Sequence, residues 1–121
     1  MIKNIKSILD IINNYELFLF DQWGVVHDGE NIFPDAENIF KILQEKQKKV
    51  FIISNSGKRS PDNIHRMKKL GANHILNFPI ITSGDVCYDL LINNKEPFQT
   101  IGNKYFVIAT DYPLLKNTHF K

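Results

Sequence analysis

The sequence predicts an α/β domain, a mostly parallel sheet flanked by helices. Two observations carry this. Short apolar runs, LFLF at 17–20 and VFII at 50–53, read as buried strands. Stretches with helical spacing separate and follow them, and that alternation marks right-handed crossover units. Such sheets bind ligands at the carboxyl ends of their strands. Here those ends carry Asp21, then Ser54 and Asn55, then Thr82 and Ser83.

Taken in order, the first stretch, MIKNIKSILDIINNYE, places Ile2, Ile5, Ile8, Leu9 and Ile12 at helical spacing and predicts an amphipathic helix packed on a core. After the first strand, residues 35–49 predict a helix with Pro34 before it and Ala36, Ile39, Phe40 and Leu43 on one face. Its basic end, EKQKK, reads as solvated. The strand at 50–53 leads to a helix at 60–71, with Ser60 placed to cap it, Pro61 at its first position and Gly71 to end it. FPIIT at 78–82 predicts a third strand, 84–92 a third helix, and KYFVIA at 104–109 a fourth strand. Residues 1–97 are expected to form the core, and 98–121 either the start of a second domain or an extra strand.

The totals set the class. The chain has 121 residues, 43% of them hydrophobic and 23% charged, which suits one globular domain. A net charge of +2, with scattered lysines, argues against nucleic acid as a partner. The first stretch is too polar to span a membrane, and its polar face is not basic enough for a membrane surface. Cys87 is the one cysteine, so no internal disulfide can form and the expected location is cytoplasmic. Cys87 reads as a packed helix residue rather than a nucleophile.

Asp21 raises the functional question. An acid at a strand tip can accept hydrogen bonds from the following turn, or it can act as a nucleophile that takes up a transferred group and yields it to water. On phosphate the second role needs a cation to screen like charges and donors for the other oxygens. Ser54 is of the right type to donate, and the amides of Asn55, Ser56 and Gly57 can form a small anion nest.

A hydrophobic strand ending in D-x-x-G-V, a D-G turn, and then a strand followed by S-N-S-G resemble the haloacid dehalogenase (HAD) superfamily. The order and spacing from IFPDAENIF through ISNSGKRSPDN to IITSGDV are similar to the branch with a class IIA cap, which contains sugar-phosphate and aryl-phosphate phosphatases. The resemblance covers about residues 15 to 110. It implies a Rossmann-like fold and phosphate monoester hydrolysis through an aspartyl phosphate on Asp21, assisted by magnesium. Asp21 and the backbone carbonyl of Trp23 match the metal ligands, and Ser54 matches the hydroxyl that holds the phosphoryl group. Asn55, Ser56, Gly57 and Lys58 match the substrate-facing loop, and residues 25–30 match the hairpin that opens and closes the site. The implied partner is a phosphorylated small molecule.

Two departures qualify the chemistry. The family's phosphatases place a second aspartate two residues after the nucleophile, to protonate the leaving oxygen; here that residue is Trp23, with His27 and Asp28 as substitutes. Nothing from 88 to 121 matches the basic third motif or the acidic fourth. The chain is thus expected to resemble the front of a larger hydrolase, incomplete relative to the family, with magnesium weakly held. A competing expectation is a catalytically silent remnant that binds a phosphorylated small molecule or a partner chain, and that forms homo-oligomers through apolar surface. A carbon–halogen hydrolase also lacks the second acid, but the motifs fit it less well. A response-regulator receiver is rejected, because Gln22 follows the first acid and the third strand ends in Thr82 and Ser83.

Overall fold

A computed structural model describes residues 4–102 and 104–108. It contains three parallel strands in the order β1-β2-β3: β1 (Leu17–Asp21), β2 (Lys49–Ser54) and β3 (Ile80–Thr82). Helices α1 (Ala36–Glu45), α2 (Ser60–Lys69) and α3 (Ser83–Ile92) follow them in alternation. Register aligns Asp21 with Ile53 and Ser54 with Thr82, so the three strands end along one edge.

Period-two alternation divides the sheet. Phe18, Val50, Ile52 and Ile80 point into one core with Phe40 and Leu43 of α1 and Met67 of α2. Phe40 makes the join, with its ring 4.8 Å from Phe20 and 5.7 Å from Phe78. The opposite face carries Leu17, Leu19, Ile53 and Ile81, all exposed.

Several local expectations are corrected. The first stretch is not a continuous helix. Its described part forms two 3-10 turns, Ile8–Asp10 and Ile12–Asn14, the first closed by a capping box between Ser7 and Asp10, and only Ile12 is buried. The helix expected through Lys49 stops at Glu45, because Gln47 takes a left-handed φ of 54° and Lys49 already pairs in β2. Ser60 does not cap α2; Arg59 occupies the cap position and makes no side-chain bond there. The third strand is shorter than expected and begins at Ile80. Residues 104–108 form no strand, and Phe106 and Ile108 are exposed; Ala109, the end of that expected strand, lies outside the described residues. Among the described residues no helix is long and apolar enough to cross a membrane.

Candidate active site

β1 delivers Asp21 to the carboxyl edge with its side chain exposed. There Asp21 Oδ1 accepts a 2.8 Å bond from the Gln22 amide, which fixes the carboxylate over the turn and leaves Oδ2 open. Asp21 shares a crevice of ≈ 390 Å³ with Asn55, the residue after β2. Ser54, buried at the end of β2, accepts from the Ser56 amide at 3.3 Å, so its own hydroxyl proton remains available to a ligand oxygen. Ser56 Oγ in turn accepts from the Lys58 amide at 3.1 Å. Two successive serine turns thus build the 54–58 loop. They use the Ser56 amide, so the expected nest is in part closed on itself.

What braces this loop is legible only in three dimensions. Asn63 of α2 donates through Nδ2 to the carbonyls of Lys58 and Arg59, at 3.2 and 3.3 Å. Asp85 of α3 accepts from the Ser60 amide at 3.0 Å and the Ser60 hydroxyl at 3.1 Å, while forming a capping box with Thr82. Burial opposes its charge, but these hydrogen bonds prevail and hold the carboxyl below its usual 3.8. Gly84 lets α3 approach: a Cβ there would lie 2.7 Å from the Lys58 carbonyl and closer still to that of Gly57. The sequence singled out the segment IITSGDV but assigned Gly84 and Asp85 no role.

The hairpin after Asp21 is held by aromatic and cationic contacts. Trp23 is 56% exposed, and its ring lies 5.5 Å from His27, edge to face. A Cβ on Gly29, where φ is 102°, would come within 2.6 Å of Trp23 Cζ3. Arg66 of α2 donates from Nη2 to the Gly29 carbonyl at 3.2 Å and sits 5.6 Å above the Trp23 ring. Trp23 therefore packs on the hairpin.

The two substitutes for the missing acid fare poorly. Asp28 accepts from the Glu30 and Asn31 amides at 2.9 and 2.7 Å. Those bonds keep it ionised. His27 is 3% exposed, and its Nδ1 finds no hydrogen-bond partner among the described residues. Burial, followed by the charge of Arg66, lowers its pKa below 6.5 despite the opposing pull of Asp28, so it is neutral at pH 7.

As for a cation, no group of three or more His, Cys, Asp or Glu side chains gathers as ligands among the described residues. The free Asp21 oxygen and the Trp23 carbonyl are hard oxygen donors. They suit magnesium, which keeps several of its waters when bound by one or two protein groups.

Comparison with known proteins gives the family. The haloacid dehalogenase-like hydrolase profile matches residues 18–117. The chain belongs to that family, and the sheet is part of its Rossmann-like fold. A haloacid dehalogenase-like hydrolase from Brucella suis 1330 is similar over 74% of this chain and 33% of its own, at 29% identity and a TM-score of 0.68. A protein described as a possible sugar phosphatase of the HAD superfamily, from Cytophaga hutchinsonii, matches 74% of this chain and 32% of its own, at 25% identity and a TM-score of 0.57. A Caenorhabditis elegans protein named as a NipSnap protein is 31% identical over 104 residues, covering 84% of this chain and 19% of its length. The chain thus spans about a third or less of the length of each of these three relatives.

Proposed function

We propose that this chain carries the nucleophile half of a phosphate monoester hydrolase, acting on a phosphorylated small molecule. The observation that supports it is that the neighbouring parallel strands β1 and β2 end in Asp21 and Ser54 along one edge of the sheet, with Asn55 in the crevice beside the carboxylate. In this reading Asp21 attacks phosphorus, an aspartyl phosphate forms, and the bond to the leaving oxygen breaks. Ser54 donates its hydroxyl to a non-bridging oxygen, and Asn55, Ser56, Gly57 and Lys58 line the approach. Water then cleaves the aspartyl phosphate and restores Asp21. Asp21 and the Trp23 carbonyl would hold magnesium, whose charge offsets that of the phosphoryl oxygens when it is bound. With Trp23 unable to give up a proton and His27 neutral, the leaving oxygen departs as an anion or takes its proton from water. The proposed setting is a reducing, cytoplasmic compartment, in keeping with the free thiol of Cys87.

A second reading is favoured by the exposed sheet face and the small metal-ligand set: a silent fragment that binds a phosphorylated molecule or a partner chain, or that pairs with itself. The deciding experiment is fluorine NMR with magnesium and beryllium fluoride, a mimic of the aspartyl phosphate. A bound signal that needs magnesium and disappears in Asp21→Asn supports the hydrolase. Folded protein without such a signal favours the silent reading.

A further inference from the structure

A polar trough runs from Ser54 along one face of α2, and two adjoining cavities make it. The first, of ≈ 200 Å³, is walled by Gln22, Ser54, Ser56, Asn63 and Arg66, among others. The second, of ≈ 420 Å³, shares Ser56, Asn63 and Arg66 with it and adds Lys58, His65 and Lys69, with Asp62 as the opposing acid. Residues 62, 63, 66 and 69 follow helical spacing, so α2 alone lays this stripe beside the serine loop.

The cations are of two kinds. Arg66 is positioned in advance. One donor of its planar fork is fixed on the Gly29 carbonyl at 3.2 Å and its Cζ lies 5.6 Å over the Trp23 ring, which leaves other donors for an oxyanion. Lys69 stands one helical turn further on. Neither forms an ion pair among the described residues. Unpaired cations on a flat helix face are ordinary. Here they line a concavity that opens onto the candidate phosphoryl-binding hydroxyl, and a fixed guanidinium joins its two halves.

We infer that this trough takes a second anionic group of the substrate, so the substrate class is a small phosphoester that carries another phosphate or a carboxylate on its leaving group. The inference rests on the reading of Asp21 and Ser54 as the phosphoryl site. Arg66 grips the second anion in bidentate fashion, and Lys69 adds charge beyond it. Lys58, from the serine loop, faces the same space.

The test titrates 15N-labelled chain, without added metal, with methylphosphonate and with methylenediphosphonate, which differ by one anionic group. The second probe is expected to bind about tenfold more tightly, as a charge-assisted hydrogen-bond pair would give. It should move the amides of 54–58 and of 65–69, whereas methylphosphonate moves the first set alone. Arg66→Gln and Lys69→Gln, both exposed substitutions, should each cut the affinity ratio by about threefold or more. Equal affinities, with shifts at 54–58 for both probes, would overturn the second-anion site and leave the phosphoryl site standing. A preference that survives in both variants would overturn it too, since the charge would then be read elsewhere. Shifts at 65–69 that depend on Arg66, with none at 54–58 from either probe, would keep the anion trough and remove the phosphoryl reading.

Discussion

Trp23 stands two residues past the candidate nucleophile, where an ionisable acid would protonate the leaving oxygen, and its indole gives up no proton at useful pH. If Asp21 is the nucleophile, the hydrolysis rate should fall steeply as the leaving group becomes more basic. A comparison of 4-nitrophenyl phosphate with simple alkyl phosphates measures this. Trp23→Asp should raise alkyl phosphate turnover by up to ~10²-fold, the low end of general-acid assistance, while changing 4-nitrophenyl phosphate turnover little. His27 makes a separate prediction about stability. Its folded pKa is lowered, so the unfolded chain binds the proton more readily, and stability rises with pH. This contribution is whole above the unfolded value of 6.5 and is lost as pH falls through the lower folded value. Urea unfolding at about pH 7.5 and about pH 5 should show a smaller loss on acidification in His27→Gln than in the parent.

At the scale of elements, the site depends on α3 being pulled against the serine loop. Gly84→Ala places a methyl group against the Gly57 and Lys58 carbonyls, which are backbone and cannot swing aside. It should destabilise the chain by about 1–3 kcal/mol, the usual range for overpacking, and should shift the amides of 56–58 in an NMR spectrum. Asp85→Ala removes the capping box of α3 and the tie to Ser60, at a cost of about 1–2 kcal/mol in chemical denaturation. The three strands and three helices were legible from the sequence, because apolar runs and helical spacing are local signals. So were Asp21 and Ser54, because strand ends follow from the strands. The first stretch misled because its isoleucines are periodic, while Ser7 and Asp10 close a short turn that ends any helix early. Ser60 misled similarly: it is the first residue of the helix, with Arg59 at the cap position, and its amide and hydroxyl both donate to Asp85, a residue 25 positions away. Contacts of that kind, and the Trp23–Gly29–Arg66 stack, have no signature along the chain.

At the scale of the molecule, the second face of the sheet is largely open among the described residues. Leu19 is 60% exposed on β1, and Leu17, Ile53 and Ile81 share its face. Next to them a groove of ≈ 420 Å³, lined by Ile53, Ile81, Val86 and Leu90 among others, separates the sheet from α3. Parallel sheets are normally buried on both faces, and a contiguous apolar patch of this kind drives association in water. The 121-residue chain studied alone should therefore show a mass that grows with concentration in sedimentation velocity. Replacing Leu19 and Ile53 with lysine places charge on two exposed positions, so the core of Phe40, Leu43, Ile52 and Met67 is untouched. The double variant should keep its fold by circular dichroism and sediment as a monomer at concentrations where the parent associates. An unchanged concentration dependence would mean that the exposed face is not the surface through which copies meet. A variant that unfolds would mean that the two side chains are buried in the folded protein, and the one-sided sheet would be wrong.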